Sequence, residues 1–136
     1  VLNMGELLFA MEYTEGSTMI SVYKLLLKTN RRFKLKGVCT SFAFVRNSFD
    51  GVAISCLCQS NFETTLNILT YGAQMRTRHV RLEAQFSEAS VYHYSDKEYL
   101  LGLVDKRASR VKFFNLTLTD SSEILTKVNL LINSTF

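Results

Sequence analysis

Ile20-Ser-Val22-Tyr23-Lys-Leu25, Leu66-Asn-Ile68-Leu69-Thr-Tyr71 and Val111-Lys-Phe113-Phe114-Asn-Leu116 share one apolar template, at offsets of 46 and then 45 residues. Each is short and rich in β-branched and aromatic residues, the composition of a pleated, half-buried strand. Self-similarity at a period of roughly 20 to 50 residues marks stacked or radial repeats rather than one irregular fold.

Similar runs flank these anchors, so residues 7–13, 19–27, 39–45, 52–59, 65–71, 80–86, 99–105 and 111–117 are expected to be strands. Turn formers separate them: Thr14-Glu-Gly16-Ser-Thr18, Asn47-Ser-Phe-Asp50-Gly51, Gln59-Ser-Asn61-Phe-Glu63 and Asp105-Lys-Arg-Ala-Ser109. Asp50-Gly51 is the strongest hairpin signal among them. The absence of proline removes helix and ladder breakers without choosing between the two. One helical rival exists: Ile124, Leu125, Val128 and Leu131 fit a spacing of three and four behind a possible cap at Ser121. We read that stretch as a strand because the repeat requires one there.

The chain thus divides into three units, approximately 5–45, 46–94 and 95–136, within a single all-β unit. The first comprises strands at 7–13, 19–27, 33–37 and 39–45, and the second strands at 52–59, 65–71, 80–86 and 90–94. The third has 99–105, 111–117 and a segment ending near Ile132. Four antiparallel strands in about 45 residues make the blade of a β-propeller. Closed propellers need roughly four to eight blades, whereas three alone leave two large apolar faces in water. The expectation is therefore part of a larger propeller, or a ring completed by another chain. An up-and-down β-barrel or two-sheet meander, enclosing a small ligand, is the structural alternative.

In its 136 residues, 47% hydrophobic and 21% charged, the chain has the composition of a globular domain. No apolar run approaches the roughly 18 residues of a membrane-spanning helix, and residues 1–6 lack a basic flank leading into an apolar stretch. No membrane partner is expected. Cys56 and Cys58 lie two apart on one expected strand and point to one face, a spacing at which a bridge would be strained. They and Cys39 read as small buried hydrophobes in a reducing compartment, and Cys56-Leu-Cys58 alone supplies too few ligands for zinc. Asn115-Leu-Thr117 and Asn133-Ser-Thr135 match the glycosylation triplet, which would place the chain outside the cell. Intracellular placement, nuclear or cytoplasmic, is the first expectation and secretion the second.

Phe33-Lys-Leu-Lys-Gly-Val-Cys-Thr-Ser-Phe-Ala-Phe44 followed by Asp50-Gly51-Val-Ala-Ile-Ser is similar to the passage from an outer strand to the next inner strand in WD40-like propellers. Tyr99-Leu-Leu-Gly-Leu-Val-Asp105 followed by Arg110-Val-Lys-Phe-Phe-Asn-Leu116 resembles the second and third strands of the same repeat. The Gly-His and Trp-Asp signatures are missing. The chain most resembles the divergent propellers of large nuclear assemblies, of the ubiquitin-ligase-adaptor and polyadenylation-factor type or like the fourth subunit of the anaphase-promoting complex. That resemblance implies a scaffold within a multi-subunit complex.

Net charge is +4, with Lys28, Arg31, Arg32, Lys34 and Lys36 in one cluster, Arg76, Arg78, His79 and Arg81 in another, and Lys106, Arg107, Arg110 and Lys112 in a third. On the propeller pattern the first two clusters fall on equivalent connections and emerge on one rim, the third on the opposite rim. Lys28, Arg31, Arg32, Lys34, Arg76, Arg78 and Arg81 form the candidate rim for an acidic protein segment, with nucleic acid second. The plainer alternative is a solvated strand edge whose cations discourage edge pairing. The third equivalent connection, Thr119-Asp-Ser-Ser-Glu123, is acidic, which breaks any continuous phosphate track. Phe33, Phe42, Phe44, Phe113 and Phe114 read as core.

No catalytic pattern emerges. His79 sits among arginines and His93 between two tyrosines, neither with a carboxylate or nucleophile at local spacing. No phosphate-cradling glycine loop is present. Asp50, Asp96 and Asp105 fit turns. The expected function is a non-catalytic scaffold that uses no cofactor and binds protein partners through rim loops and open ring ends.

Overall fold

The computed structural model describes residues 2–5, 7–24, 29–46, 51–61, 63–72, 76–118 and 125–135. Its order is β1 (Leu2–Met4), β2 (Leu7–Thr14), β3 (Ser17–Lys24), β4 (Thr29–Lys36), β5 (Val38–Phe44), β6 (Val52–Ser60), β7 (Glu63–Tyr71), β8 (Arg76–Leu82), β9 (Glu88–Ser95), β10 (Glu98–Asp105), β11 (Arg110–Leu118) and β12 (Leu125–Thr135). The protein is all-β. Among the described residues no helix is long and apolar enough to cross a membrane.

The strands form three antiparallel four-stranded sheets, each a meander of consecutive strands: β1-β2-β3-β4, β5-β6-β7-β8 and β9-β10-β11-β12. Among the described residues no sheet closes into a barrel, and the three sheets do not close into a propeller ring. The two-sheet meander does not match, because the described residues form three sheets. The three anchor runs fall on β3, β7 and β11, the third strand of each sheet. The sequence period is thus a structural period. Its phase differs from the units drawn from sequence, since residues 39–45 open the second sheet by pairing with β6 instead of closing the first. The unforeseen strand β1 fills the vacant first place.

Sheet 2 lies between the other two. One apolar cluster joins Phe9, Ile20 and Val22 of sheet 1 to Ile54, Cys56 and Leu69 of sheet 2. A second joins Leu57, Leu66 and Ile68 of sheet 2 to Leu101, Phe114 and Leu116 of sheet 3. Alternation along the strands explains the division, because odd and even positions of one strand serve opposite sheets: Ile68 faces sheet 3 and its neighbour Leu69 faces sheet 1. Phe33, Phe42 and Phe44 pack against the first cluster and Phe114 belongs to the second. Phe113 points the other way and is half-buried on the outer face of sheet 3.

Gly37 makes the passage from β4 to β5. Its φ of 88° lies in the left-handed region, and a Cβ there would come within 2.3 Å of the Gln59 carbonyl oxygen, so only glycine fits. Beyond it the chain is pinned to its neighbour. Thr18 Oγ1, fully buried, donates to the Gly37 carbonyl at 2.8 Å and accepts from the Cys39 amide at 3.1 Å. A bulge in β5 between Thr40 and Ala43, with Ser41 at φ 54°, turns the Ser41 hydroxyl onto β9. There its oxygen accepts from the Ala89 amide at 2.8 Å and lies 3.3 Å from the Ala89 carbonyl. Close by, Arg46 bridges Tyr92 in parallel, so the first strands of sheets 2 and 3 run side by side.

Candidate functional site

Three places concentrate chemistry: the basic edge strands, a polar cluster between sheets 2 and 3, and a sulfur cluster between sheets 1 and 2.

The basic clusters lie within strands β4 and β8, the fourth strand of sheets 1 and 2, instead of on connections. Sequence reading placed strands at 33–37 and 80–86 because Arg31, Arg32, Arg76 and Arg78 look like a polar loop. On an edge strand a solvent-facing position needs no apolar residue, and cations there discourage pairing with another sheet. Arg31, Arg32 and Lys34 of β4 are exposed, as are Arg76 and Arg81 of β8. Lys28 lies outside the described residues, as does the acidic 119–123 connection. Arg81 Nε pairs with Glu63 Oε1 at 3.3 Å on an exposed surface, an interaction that contributes little to stability. Lys34 and Lys36 flank an open groove of about 390 Å³ that Glu15, Gly16 and Ser17 complete. The third cluster is separate: Lys106 and Arg107 occupy the β10–β11 hairpin, where Asp105 Oδ1 accepts from the Arg107 amide at 3.1 Å and Lys106 pairs with Glu88 at 3.0 Å.

Arg78 is not on the rim. It is 3% exposed and faces sheet 3, where its Nη1 donates to the Tyr99 hydroxyl. The reason is strand parity: Arg78 pairs with Ile68 and so shares the face that Ile68 buries. The ring of Tyr99 stacks on His93, with centroids 4.1 Å apart and planes 11° from parallel. His93 Nε2 lies 3.3 Å from the Asp96 carbonyl. His93 and Tyr99 are register partners across the β9–β10 hairpin, but sequence spacing could not bring Arg78 to them, since β8 meets β9 and β10 only through the sheet 2–sheet 3 packing. A buried arginine held by a tyrosine hydroxyl over a stacked imidazole is a polar tie between sheets. Two clefts that share Phe86, neither lined by Arg78, His93 or Tyr99, hold about 90 and 80 Å³, well below the roughly 300 Å³ at which small-molecule sites begin.

The cysteines depart from expectation. Cys39 of β5 and Cys58 of β6 are register partners and form a disulfide, with Cα atoms 3.9 Å apart. Two of the three are therefore not free thiols. The pair escaped sequence reading because the bridge is cross-strand, whereas the bridge weighed there was the intrastrand Cys56–Cys58. Cys56 remains a buried thiol with its Sγ 3.8 Å from Cys58 Sγ, and burial pushes its pKa from 9.0 up to about 12. The three sulfurs lie within 4.8 Å of one another, one ligand more than Cys56-Leu-Cys58 offered. With the bridge formed, however, only a protonated thiol is left, which does not fit a metal that needs thiolates.

No protein-family model, curated protein or solved structure matches the chain.

Proposed function

We propose that this protein is a non-catalytic, propeller-type scaffold module that mediates protein–protein interaction in a multi-subunit assembly. The observation that carries the reading is the arrangement of three consecutive four-stranded meanders at a period of 46 and 45 residues, packed face to face with sheet 2 in the middle. Blades of a WD40-like propeller pack in this way, each burying its faces against its neighbours. The side-by-side course of β5 and β9 is consistent with inner strands around an axis. On this reading the fourth strands β4 and β8 form the outer edge, and their exposed cations offer an acidic segment of a partner a place to bind, with nucleic acid second.

The test uses a labelled oligoglutamate peptide and a labelled DNA duplex, each titrated against the full chain by fluorescence anisotropy. The quadruple reversal Arg31→Glu, Arg32→Glu, Arg76→Glu and Arg81→Glu is the control, and Arg78 is left intact because it is buried. Peptide binding that the reversal abolishes supports the reading. Peptide binding unchanged by the reversal removes the basic edge from it, and preference for the duplex transfers the edge to nucleic acid.

One observation favours a different compartment from the one expected. A disulfide persists where the surroundings are oxidising, so the Cys39–Cys58 bridge supports the secreted alternative over the intracellular one. The glycosylation triplets add less: the Asn115 amide oxygen already accepts from the Tyr94 hydroxyl at 2.6 Å, and Asn133 lies within β12.

A further inference from the structure

The register of the three sheets makes positions comparable. Ile20, Leu66 and Val111 are equivalent, as are Val22, Ile68 and Phe113, each set lying on the third strand of its sheet. In sheet 1 the first two members, Ile20 and Val22, are 0% and 1% exposed because sheet 2 covers them, and in sheet 2 Leu66 and Ile68 are both 0% exposed beneath sheet 3. In sheet 3 their counterparts Val111 and Phe113 are only half-buried, as are Leu100 and Val104 beside them, while Tyr92 on the same face is 41% exposed. This is the face on which the first two sheets each carry the next one, and here it carries none among the described residues.

The opposite end shows the complementary state. Leu8, Ile54 and Leu101 are equivalent, paired respectively with Tyr23, Leu69 and Phe114. Ile54 and Leu69 are buried against sheet 1, and Leu101 and Phe114 against sheet 2. Leu8 and Tyr23, the sheet 1 versions, are half-buried on the outer face, with Ala10 and Met19 beside them. Ser21 in their midst is 0% exposed, yet its hydroxyl has no hydrogen-bond partner, whereas the equivalent place in sheet 2 is taken by Asn67. The two ends are thus the two halves of the contact made twice inside the molecule. One is of the Ile20/Val22 type and the other of the Leu8/Tyr23 type.

We propose that the outer face of sheet 3, centred on Val111 and Phe113, docks on the outer face of sheet 1, centred on Leu8 and Tyr23, of a second copy of this chain. The contact is head to tail, because the chain supplies one half at each end, and two copies related by a two-fold axis satisfy both ends at once. This deepens the scaffold reading by naming the partner that completes the ring, and it rests on that reading for ring closure.

The experiment is light scattering on the full chain, with circular dichroism to confirm that each variant keeps its β-structure. The unaltered chain should have the mass of two copies. Phe113→Glu blocks one end and Tyr23→Glu the other, and each variant alone should be a monomer. An equal mixture of the two should recover the mass of two copies, since one face of each type is still intact. That recovery separates head-to-tail docking from a symmetric contact, in which one of the two variants alone would still pair. A folded monomeric wild-type chain, or a mixture that stays monomeric, overturns the proposal. The scaffold reading is judged separately by the peptide titration, so the two can fail independently.

Discussion

Cys56 shows how burial sets chemistry at the scale of one residue. It shares the sheet 2 face with Cys58, its sulfur is 3.8 Å from the bridge, and exchange with the disulfide needs a thiolate. Burial holds the proton on by pushing the pKa from 9.0 to about 12, so the Cys39–Cys58 pairing is protected from reshuffling by the thiol beside it. The same shift has a consequence for stability. Below pH 9 the thiol is protonated in both folded and unfolded chains. Between pH 9 and 12 the unfolded chain releases this proton while the folded one keeps it, so stability falls as pH rises, by up to about 1.4 kcal/mol per pH unit. Urea unfolding at several pH values should show a steeper decline for the unaltered chain than for Cys56→Ala across this window. Parallel profiles would mean that Cys56 is solvated. Native protein should also resist alkylation by iodoacetamide until it is denatured.

At the scale of elements, the junctions between sheets depend on a few polar ties. Thr18 satisfies the Gly37 carbonyl and the Cys39 amide at the point where sheet 1 hands over to sheet 2. Thr18→Val keeps the shape and removes both bonds, leaving two buried backbone groups unpaired, at a cost of about 2–4 kcal/mol. Thr18→Ser retains the oxygen and should lose well under half of that. A larger loss for Thr18→Ser than for Thr18→Val in chemical denaturation would show that the methyl group, and not the hydroxyl, carries the site. Eleven of the twelve strands among the described residues were legible in the sequence, because short apolar runs rich in β-branched and aromatic residues end at turn residues. The 125–135 segment also forms a strand, as the repeat required, against its own helical spacing. What was not legible follows from what periodicity ignores. β1 is three residues long, too short to alternate. β4 and β8 were placed four residues late because charged edge positions look like loops. The phase of the units was uncertain for a related reason: strand pairing decides whether residues 39–45 close one sheet or open the next. The site fared less well. Arg31, Arg32, Lys34, Arg76 and Arg81 were found as a surface, but the burial of Arg78 depends on packing between sheets, and so does its link to Tyr99 and His93.

At the scale of the whole molecule, the three sheets form a stack whose interior is finished and whose ends are not. Arg32 and Lys34 pair with Ser21 and Met19 and so share the outer face of sheet 1, whereas Arg76 and Arg81 lie on sheet 2, so a partner on the sheet 2 edge need not compete with a second copy on the end faces. Affinity for an acidic peptide at the edge should fall steeply with added salt, whereas self-association through the apolar end faces should hold or strengthen. Titration and light scattering at low and high salt read the two separately, and a common salt response would mean that one surface serves both. The disulfide adds a property of the chain as an object. Cys39 and Cys58 are 19 residues apart and joined by sulfur, so the backbone between them is a closed loop. A protease cut anywhere inside that loop leaves one covalent molecule, which migrates as a single band without reductant and as two with it. The protein can be nicked there without being divided.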